Sequence, residues 1–186
     1  MNLAIIGATG LVGEEILKVL SQRNIQLRNL ILVASKKSLG KVISFQKKNF
    51  KLISIEECLE QSIDVAIFSS GKDISLKWAP IFSSKDITVI DNSSAWRMDD
   101  RKKLIIPEIN GNELCENDKI IANPNCSTIQ MLIALAPLHK KYGITRIIVS
   151  TYQSVTGTGR IALNQLNNEY NKIRGEMAYK YQIHQN

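Results

Sequence analysis

An apolar run followed by regularly spaced glycines opens the chain. Residues 2–6 are almost entirely apolar, which is typical of a strand buried on both faces of a parallel sheet. The sequence GATGLVG at residues 7–13 follows, and apolar side chains then recur at helical spacing to about Arg23. Glycines between a strand and a helix let the backbone approach a pyrophosphate, which the positive N-terminus of the helix attracts. The segment therefore predicts the start of a dinucleotide-binding βαβ unit, although a merely tight turn would use glycines too.

The same alternation of strand and helix continues along the chain. Buried strands are predicted at residues 29–34, 64–68 and 87–91. A polar hairpin is predicted at residues 41–53 and a further helix at residues 73–84. Strands that alternate with helices are the signature of a parallel sheet covered on both faces. The predicted fold class is therefore α/β, with a Rossmann-like doubly wound parallel sheet.

The residues after the second predicted strand indicate which dinucleotide is preferred. A site for NAD usually has an acidic residue about 20 residues past the glycines, where it binds the ribose 2′-hydroxyl. This chain has Ser35, Lys36, Lys37 and Ser38 instead. Hydroxyl and ammonium groups without a carboxylate suit a 2′-phosphate. NADP is favoured over NAD, and the alternative is a solvated lysine loop.

Cys126 lies in the turn sequence Asn-Pro-Asn-Cys, directly before a long apolar helix pattern at residues 129–138. Asn and Pro mark a turn, so Cys126 falls at or near the helix N-terminus. Unpaired backbone N–H groups and the helix dipole favour a thiolate there. Cys126 is therefore a candidate nucleophile. The alternative is a buried structural cysteine.

Arg97 follows the predicted strand at residues 87–91, in the sequence DNSSAWR. Ligand crevices in parallel sheets lie at the carboxyl ends of the strands. A guanidinium at such a place can clamp a phosphate or a carboxylate bidentately. On the residues alone, the interpretation of Arg97 as a surface arginine without a ligand is equally well supported.

The last part of the chain predicts a strand, a loop and a helix. Residues 144–152 are rich in β-branched side chains, which favours a strand. Residues 153–159 form a loop of small and hydroxyl-bearing residues, and a helix is expected from about residue 160 to residue 182.

Composition excludes several classes of function. The net charge is +7, but the lysines are dispersed and aromatic residues make up only 6%, which disfavours a nucleic-acid partner and favours a small anionic substrate.

The sequence has no apolar run long enough to span a membrane and no signal-peptide pattern, so a cytoplasmic protein is expected. Its three cysteines are widely spaced, and this spacing is typical neither of a disulfide framework nor of a metal site.

Taken together, the segments resemble the aspartate-β-semialdehyde dehydrogenase family, in family order and spacing and across almost the whole chain. The matching segments are GATGLVG (7–13), ASKKSLG (34–40), VIDNSSAWRMD (89–99), IPEIN (106–110), NPNCSTIQM (123–131) and STYQSVTGTG (150–159). The resemblance implies NADPH-dependent reductive dephosphorylation of β-aspartyl phosphate to aspartate semialdehyde, a step toward lysine, threonine and methionine.

The resemblance also implies roles for particular residues. Cys126 forms a thioester, Asn125 stabilises the oxyanion, Arg97 binds the substrate phosphate, and Gln153 orients the substrate. No metal is expected. The cofactor contacts expected from the motifs and the resemblance are Gly7, Thr9, Gly10, Leu11, Val12, Gly13, Ser35, Lys37, Ser38, Ser70, Gly71, Thr156 and Gly157.

Family members are longer than 186 residues, so the chain is expected to be the N-terminal portion of a homodimeric enzyme. Residues 1–122 would form the NADP-binding domain and residues 123–186 the incomplete start of an α+β catalytic and dimerisation domain. The catalytic histidine would lie beyond this sequence, because His139 and His184 match no motif. A region from about residue 160 onward is expected to aggregate or to be partly disordered unless a partner supplies the rest of that domain. The remaining alternatives are N-acetyl-γ-glutamyl-phosphate reductase and a non-catalytic NADP-binding module.

Overall fold

A computed structural model of the chain describes residues 1–173, 175, 177, 179 and 183. The chain forms two compact units, Met1–Ile147 and Ile148–Asn186. The predicted domain boundary after residue 122 stays a prediction.

The first unit is built on eight strands. They are β1 (Asn2–Ile6), β2 (Asn29–Val33), β3 (Val42–Phe45), β4 (Lys48–Lys51), β5 (Val65–Phe68), β6 (Thr88–Asp91), β7 (Lys103–Leu104) and β8 (Ile120–Ala122). Six of them form a central sheet with the order β2-β1-β5-β6-β8-β7 and parallel pairing throughout. Strands β3 and β4 form a separate antiparallel hairpin.

Helices follow most of the strands. They are α1 (Leu11–Gln22), α2 (Ile55–Cys58), α3 (Lys72–Ser84), α4 (Pro107–Asn110), α5 (Cys126–Tyr142) and, in the second unit, α6 (Arg160–Tyr170). No helix among the described residues is both long and apolar enough to cross a membrane.

The alternation of side chains along β1 builds a core on each face of the sheet. Leu3 and Ile5 pack with Leu17 of α1 in one buried cluster. Ala4 and Ile6 belong to the other cluster, which includes Phe82 of α3. Because successive side chains of a strand point to opposite faces, one buried strand needs a cover on both sides. The predicted Rossmann-like doubly wound sheet is confirmed.

The strand predicted at residues 144–152 is wrong, since these residues form neither helix nor strand. Ile148 is 79% exposed and Tyr152 fully exposed. β-Branched residues favour a strand only where a neighbouring strand completes the hydrogen bonds and covers one face. No described residue provides that neighbour, because neither sheet contains a strand from this segment.

One helix prediction is also corrected. The helix that was predicted to reach Gln182 ends at Tyr170, and Lys172 is left-handed with φ +56°; Gln182 itself lies outside the described residues. Helix α5 runs through Pro137 without interruption to Tyr142 and is followed by left-handed Gly143. A left-handed glycine is a common helix stop because it has no Cβ to clash.

Candidate functional site

The glycine turn between β1 and α1 is held on the neighbouring strand. The backbone N–H groups of Gly7 and Ala8 both donate to the carbonyl oxygen of Val33, at 2.9 and 3.0 Å. Gly10 is the N-cap of α1, and no side chain caps the helix there. Backbone N–H groups in the first turn of a helix lack partners within the helix, so this N-terminus is suited to an anion.

Only glycine fits at two positions of this turn. Gly7 has φ +97°, and a Cβ on it would lie 2.8 Å from the hydroxyl oxygen of Ser70. A Cβ on Gly13 would lie 2.3 Å from the carbonyl oxygen of Gly7. The absence of these side chains lets the turn pack against both α1 and the end of β5. The backbone therefore forms a surface that a phosphate group can approach closely.

A cleft of about 600 Å³ opens at this turn. In the sheet, β1 lies between β2 and β5, so the chain proceeds from β1 to one side first and later to the other. Nucleotides bind at such switch points in open parallel sheets. Five of the predicted cofactor residues line the cleft, namely Gly7, Thr9, Gly10, Ser35 and Ser70. The sequence predictions for these residues thus converge on one cavity.

The other predicted cofactor residues of the first unit lie next to the cleft but outside its lining. Leu11, Val12 and Gly13 form the first turn of α1, Lys37 and Ser38 lie in a 3₁₀ turn after β2, and Gly71 is the N-cap of α3. Among the described residues the lining contains Lys36 rather than Lys37. The roles of all these residues stay predictions.

Part of the cleft lining was missed by the sequence interpretation. Ile74, Lys77 and Trp78 of α3 line the cleft, as do Leu39, Ile55 and Glu56. The three α3 residues are spaced as neighbours on one helix face, and that spacing is the signal that could have found them. The Nζ of Lys77 lies 5.0 Å from the centre of the Trp78 ring, within the range of a cation–π contact.

The loop after β6 is fixed by a buried carboxylate and a buried indole. Ser93 donates its hydroxyl to the Oδ2 of Asp91 at 2.7 Å and accepts from the backbone N–H of Ala95 at 3.1 Å. The Nε1 of Trp96 donates to the hydroxyl of Ser75 on α3 at 2.9 Å. Burying a polar group without a hydrogen-bond partner costs free energy of folding. These bonds therefore hold the loop in one conformation and position the backbone of Arg97.

Arg97 joins the ends of β6 and β8. Its Nε donates to the carbonyl oxygen of Asn123 at 2.9 Å, and its Nη2 donates to the carbonyl oxygen of Asn92 at 3.1 Å. The side chains of the two asparagines are themselves bonded, Asn123 Nδ2 to Asn92 Oδ1 at 2.7 Å. The half-buried guanidinium is thus held rigidly by two backbone carbonyls. Its other N–H groups can bind an anion bidentately.

Cys126 is the first residue of α5, as the sequence predicted, and it is exposed. Asn125 is the N-cap, and its Oδ1 accepts from the backbone N–H of Ser127 at 3.0 Å and from the Ser127 hydroxyl at 2.7 Å. The Sγ of Cys126 lies 3.9 Å from the same oxygen. Because Oδ1 faces the helix, the amide nitrogen of Asn125 is the group with which this side chain can donate to an oxyanion.

The other cysteines differ from Cys126 in their surroundings. Cys58 is fully buried, and burial raises the pKa of its thiol to about 12. Such a thiol is inert at neutral pH. Cys115 is exposed, and its Sγ lies 3.9 Å from the carbonyl oxygen of Glu113. Of the three, Cys126 alone lies at the N-terminus of a long helix.

The second unit contains the remaining predicted site residues. A 3₁₀ turn spans Val155–Thr158, and a Cβ on Gly157 would lie 1.9 Å from the Nε2 of Gln153. The Gln153 amide therefore lies directly on the backbone of Gly157. The hydroxyls of Ser154 and Thr156 are 2.9 Å apart. The predicted substrate and cofactor roles of Gln153, Thr156 and Gly157 stay predictions.

His139 does not join the described site. His139 is exposed in the last turn of α5, where its carbonyl accepts from Gly143 at 2.8 Å, and His184 lies outside the described residues. No group of His, Cys, Asp and Glu side chains among the described residues has the arrangement of a metal site.

Comparison with known proteins assigns these features to one family. The family described as "Semialdehyde dehydrogenase, NAD binding domain" matches residues 2–117. The aspartate-semialdehyde dehydrogenase of Aquifex aeolicus is 48% identical over 171 residues, which make up 90% of this chain and 50% of that protein. Aspartate-semialdehyde dehydrogenase 2 of Vibrio cholerae is 45% identical over 174 residues, covering 92% of this chain and 52% of that protein. The chain spans about half the length of the curated relatives it matches.

Solved structures agree with this assignment. The crystal structure of aspartate semialdehyde dehydrogenase II from Vibrio cholerae matches with a TM-score of 0.88 and 42% identity, covering 100% of this chain and 57% of that chain. The structure of the same enzyme complexed with ASA matches with a TM-score of 0.87 and 42% identity, over 98% of this chain and 56% of that chain.

Proposed function

The chain belongs to the semialdehyde dehydrogenase family, and from this we propose that it carries the nucleotide site and the nucleophile of an aspartate-semialdehyde dehydrogenase. The proposed reaction is the NADPH-dependent reductive dephosphorylation of β-aspartyl phosphate to aspartate semialdehyde. The observation that carries the proposal is the hydrogen bond from Arg97 to Asn123. It holds a cation suited to a phosphate beside the turn that leads to the Cys126 thiol.

The cleft supports a nicotinamide dinucleotide as the cofactor. The glycine turn leaves backbone exposed at Gly7, where a Cβ would meet the Ser70 hydroxyl at 2.8 Å, so a pyrophosphate can lie against the chain. Ser35 and Lys36 at the end of β2 support NADP over NAD, because a hydroxyl and an ammonium group can bind a 2′-phosphate. When bound, the reduced nicotinamide supplies a hydride to the acyl carbon.

The Cys126 thiolate acts both as nucleophile and as leaving group. Its Sγ attacks the acyl carbon of β-aspartyl phosphate, the carbon–sulfur bond forms, the carbon–oxygen bond to phosphate breaks, and inorganic phosphate departs. After hydride addition to the thioester carbon, the thiohemiacetal collapses, the thiolate leaves and the aldehyde is released. Cys126 is exposed at the start of α5, so its Sγ is accessible to the substrate.

Arg97 and Asn125 stabilise charge during acylation. The guanidinium of Arg97 binds the substrate phosphate with the N–H groups that do not bond to Asn92 and Asn123. The amide nitrogen of Asn125 donates to the oxyanion at the acyl carbon. Gln153 orients the substrate. A homodimer and a cytoplasmic location remain predictions for the whole protein.

The test is an acylation experiment on the chain as it exists. The purified chain is mixed with β-aspartyl phosphate, and its intact mass is measured over time. An aspartyl adduct is expected on the wild-type chain and on Cys115→Ser, the matched control at the other exposed thiol, but not on Cys126→Ser. Binding of NADPH is measured in parallel by calorimetry and should be equal in all three proteins.

Each outcome is decisive for one part of the proposal. An adduct that survives in Cys126→Ser would show that another residue is the nucleophile. Absence of any adduct with NADPH binding intact would favour the second candidate, a non-catalytic NADP-binding module. That candidate is supported by the cleft, which is formed entirely by residues of the first compact unit.

A further inference from the structure

Two neighbouring acidic residues at the start of α2 have different surroundings. Glu57 closes a capping box, since its Oε2 accepts from the backbone N–H of Ser54 at 2.8 Å while its own N–H donates to the Ser54 hydroxyl at 3.1 Å. These bonds lower the pKa of the Glu57 carboxyl. Glu57 is therefore committed to the helix cap.

Glu56 lines the nucleotide cleft instead. No ion pair or side-chain hydrogen bond joins its carboxylate to any described residue. The capping box determines where α2 begins and so places the backbone of Glu56 at the cleft. The side chain of Glu56 is exposed, and its carboxylate is available to a ligand.

The backbone places Glu56 on the adenosine side of the cleft. Ile53 pairs in parallel with Val33, and the N–H of Ala34 donates to the carbonyl of Ile53 at 3.2 Å. Residues 54–56 line the same cleft as residues 34–36, which follow the carboxyl end of β2. In doubly wound folds this strand end binds the adenosine ribose. Ile74 and Lys77 of α3 line the same cleft.

Charge decides which part of the ligand Glu56 can bind. A carboxylate repels phosphate groups, so its place in a cleft for a polyanion is favourable only where it meets a neutral donor. The adenosine part of NADP offers few such donors, because the ribose 2′-oxygen carries the phosphate. The exocyclic amine of adenine and the ribose 3′-hydroxyl remain.

We propose that Glu56 recognises the adenine base by accepting a hydrogen bond from its exocyclic amine, with the base lying between α2 and the Ile74–Lys77 face of α3. Glu56 thereby selects adenine over a purine base that lacks this amine. The inference rests on the proposed nucleotide function of the cleft.

The test compares NADP with its purine analogue, in which hydrogen replaces the exocyclic amine of adenine and the sugars and phosphates are unchanged. Dissociation constants for both are measured by calorimetry on the full chain. Wild type is expected to bind NADP about tenfold more tightly than the analogue, as for one hydrogen bond to a charged group. In Glu56→Ala the ratio should fall to about one. Glu60→Gln, at an exposed carboxylate just beyond α2, is the matched control and should keep the wild-type ratio.

The ratio separates base recognition from simple charge removal. Loss of the Glu56 charge reduces repulsion of the phosphates in both ligands equally, so it cancels in the ratio. An equal affinity of wild type for both ligands, or a ratio unchanged in Glu56→Ala, would overturn the inference while NADP binding stands. A preference for NAD over NADP that depends on Glu56 would also overturn it, because the carboxylate would then bind the ribose 2′-hydroxyl. If wild type binds neither ligand, the nucleotide function itself is wrong and the inference with it.

Discussion

The guanidinium of Arg97 and the backbone carbonyl of Asn123 are joined by a hydrogen bond of 2.9 Å across two neighbouring strand ends. Asn123 lies three residues before Cys126 in the sequence. One bond therefore couples the proposed phosphate-binding cation to the turn that positions the proposed nucleophile. The second bond, to Asn92 at 3.1 Å, fixes the plane of the guanidinium.

Replacing Arg97 by lysine tests this coupling. Lysine keeps the charge but lacks the planar set of donors that binds two carbonyls and an anion together. Each lost hydrogen bond to a charged group is worth about 1.5–3 kcal/mol, so acylation by β-aspartyl phosphate should slow at least about tenfold. The initial rate of adduct formation measures this. Arg101→Lys, at an exposed arginine paired with Asp99, should react at the wild-type rate. A wild-type rate in Arg97→Lys would exclude a role for the guanidinium geometry.

Gly13 is a test of close packing at the nucleotide turn. A Cβ there would lie 2.3 Å from the carbonyl oxygen of Gly7, whereas a Cβ on Gly10 would lie 3.4 Å from the same atom. Overpacking of this kind costs about 1–3 kcal/mol. Gly13→Ala is therefore expected to lower the free energy of unfolding in urea by that amount, and Gly10→Ala to change it by less than about 1 kcal/mol. Equal stability of the two variants would contradict this packing.

The parts of the site that the sequence predicted correctly are local ones. The turn at residues 7–13 and Cys126 at the start of α5 follow from glycine, proline and apolar spacing within a few residues. The bond from Arg97 to Asn123 joins residues 26 positions apart, and nothing in the local sequence indicates that partner. Lys36 lines the cleft and Lys37 does not. Which of these two neighbouring side chains faces the cleft depends on the conformation of the 3₁₀ turn Lys36–Ser38, which the local sequence does not determine. The strand predicted at residues 144–152 failed because a strand requires a partner, which the propensity of its own residues cannot supply.

The cysteines should react with iodoacetamide in a fixed order. Burial raises the pKa of Cys58 to about 12, so its thiol stays protonated and shielded in the folded chain. At pH 8, peptide mass spectrometry should find Cys126 and Cys115 alkylated and Cys58 unmodified. Cys58 should react only once urea unfolds the protein. Alkylation of Cys58 at the rate of Cys115 under native conditions would mean that β5 and α2 open readily.

Asp99 should titrate well below other aspartates. Hydrogen bonds from the side chain and backbone of Arg101 lower the pKa of Asp99 from 3.8 to about 2. The folded-state pKa is depressed, so the stabilising contribution is present above the unfolded value and is lost as pH falls from about 3.8 to about 2. In Arg101→Gln, the NMR titration midpoint of Asp99 should rise toward 3.8. An unchanged midpoint would show that the Arg101 side chain does not hold this carboxylate.

The exposed apolar segment at the start of the second unit should govern self-association. Ile148 and Val149 are 79% and 57% exposed, and Tyr152 is fully exposed. Exposed β-branched and aromatic residues without a strand partner are a template for pairing between chains. Ile148→Lys is expected to lower the fraction of large species in light scattering at a given concentration. Thr151→Lys adds the same charge without removing an apolar side chain, so it should have a smaller effect. A monodisperse wild-type monomer with slow amide exchange through residues 148–152 would contradict this prediction, because such protection requires that the segment be paired and covered.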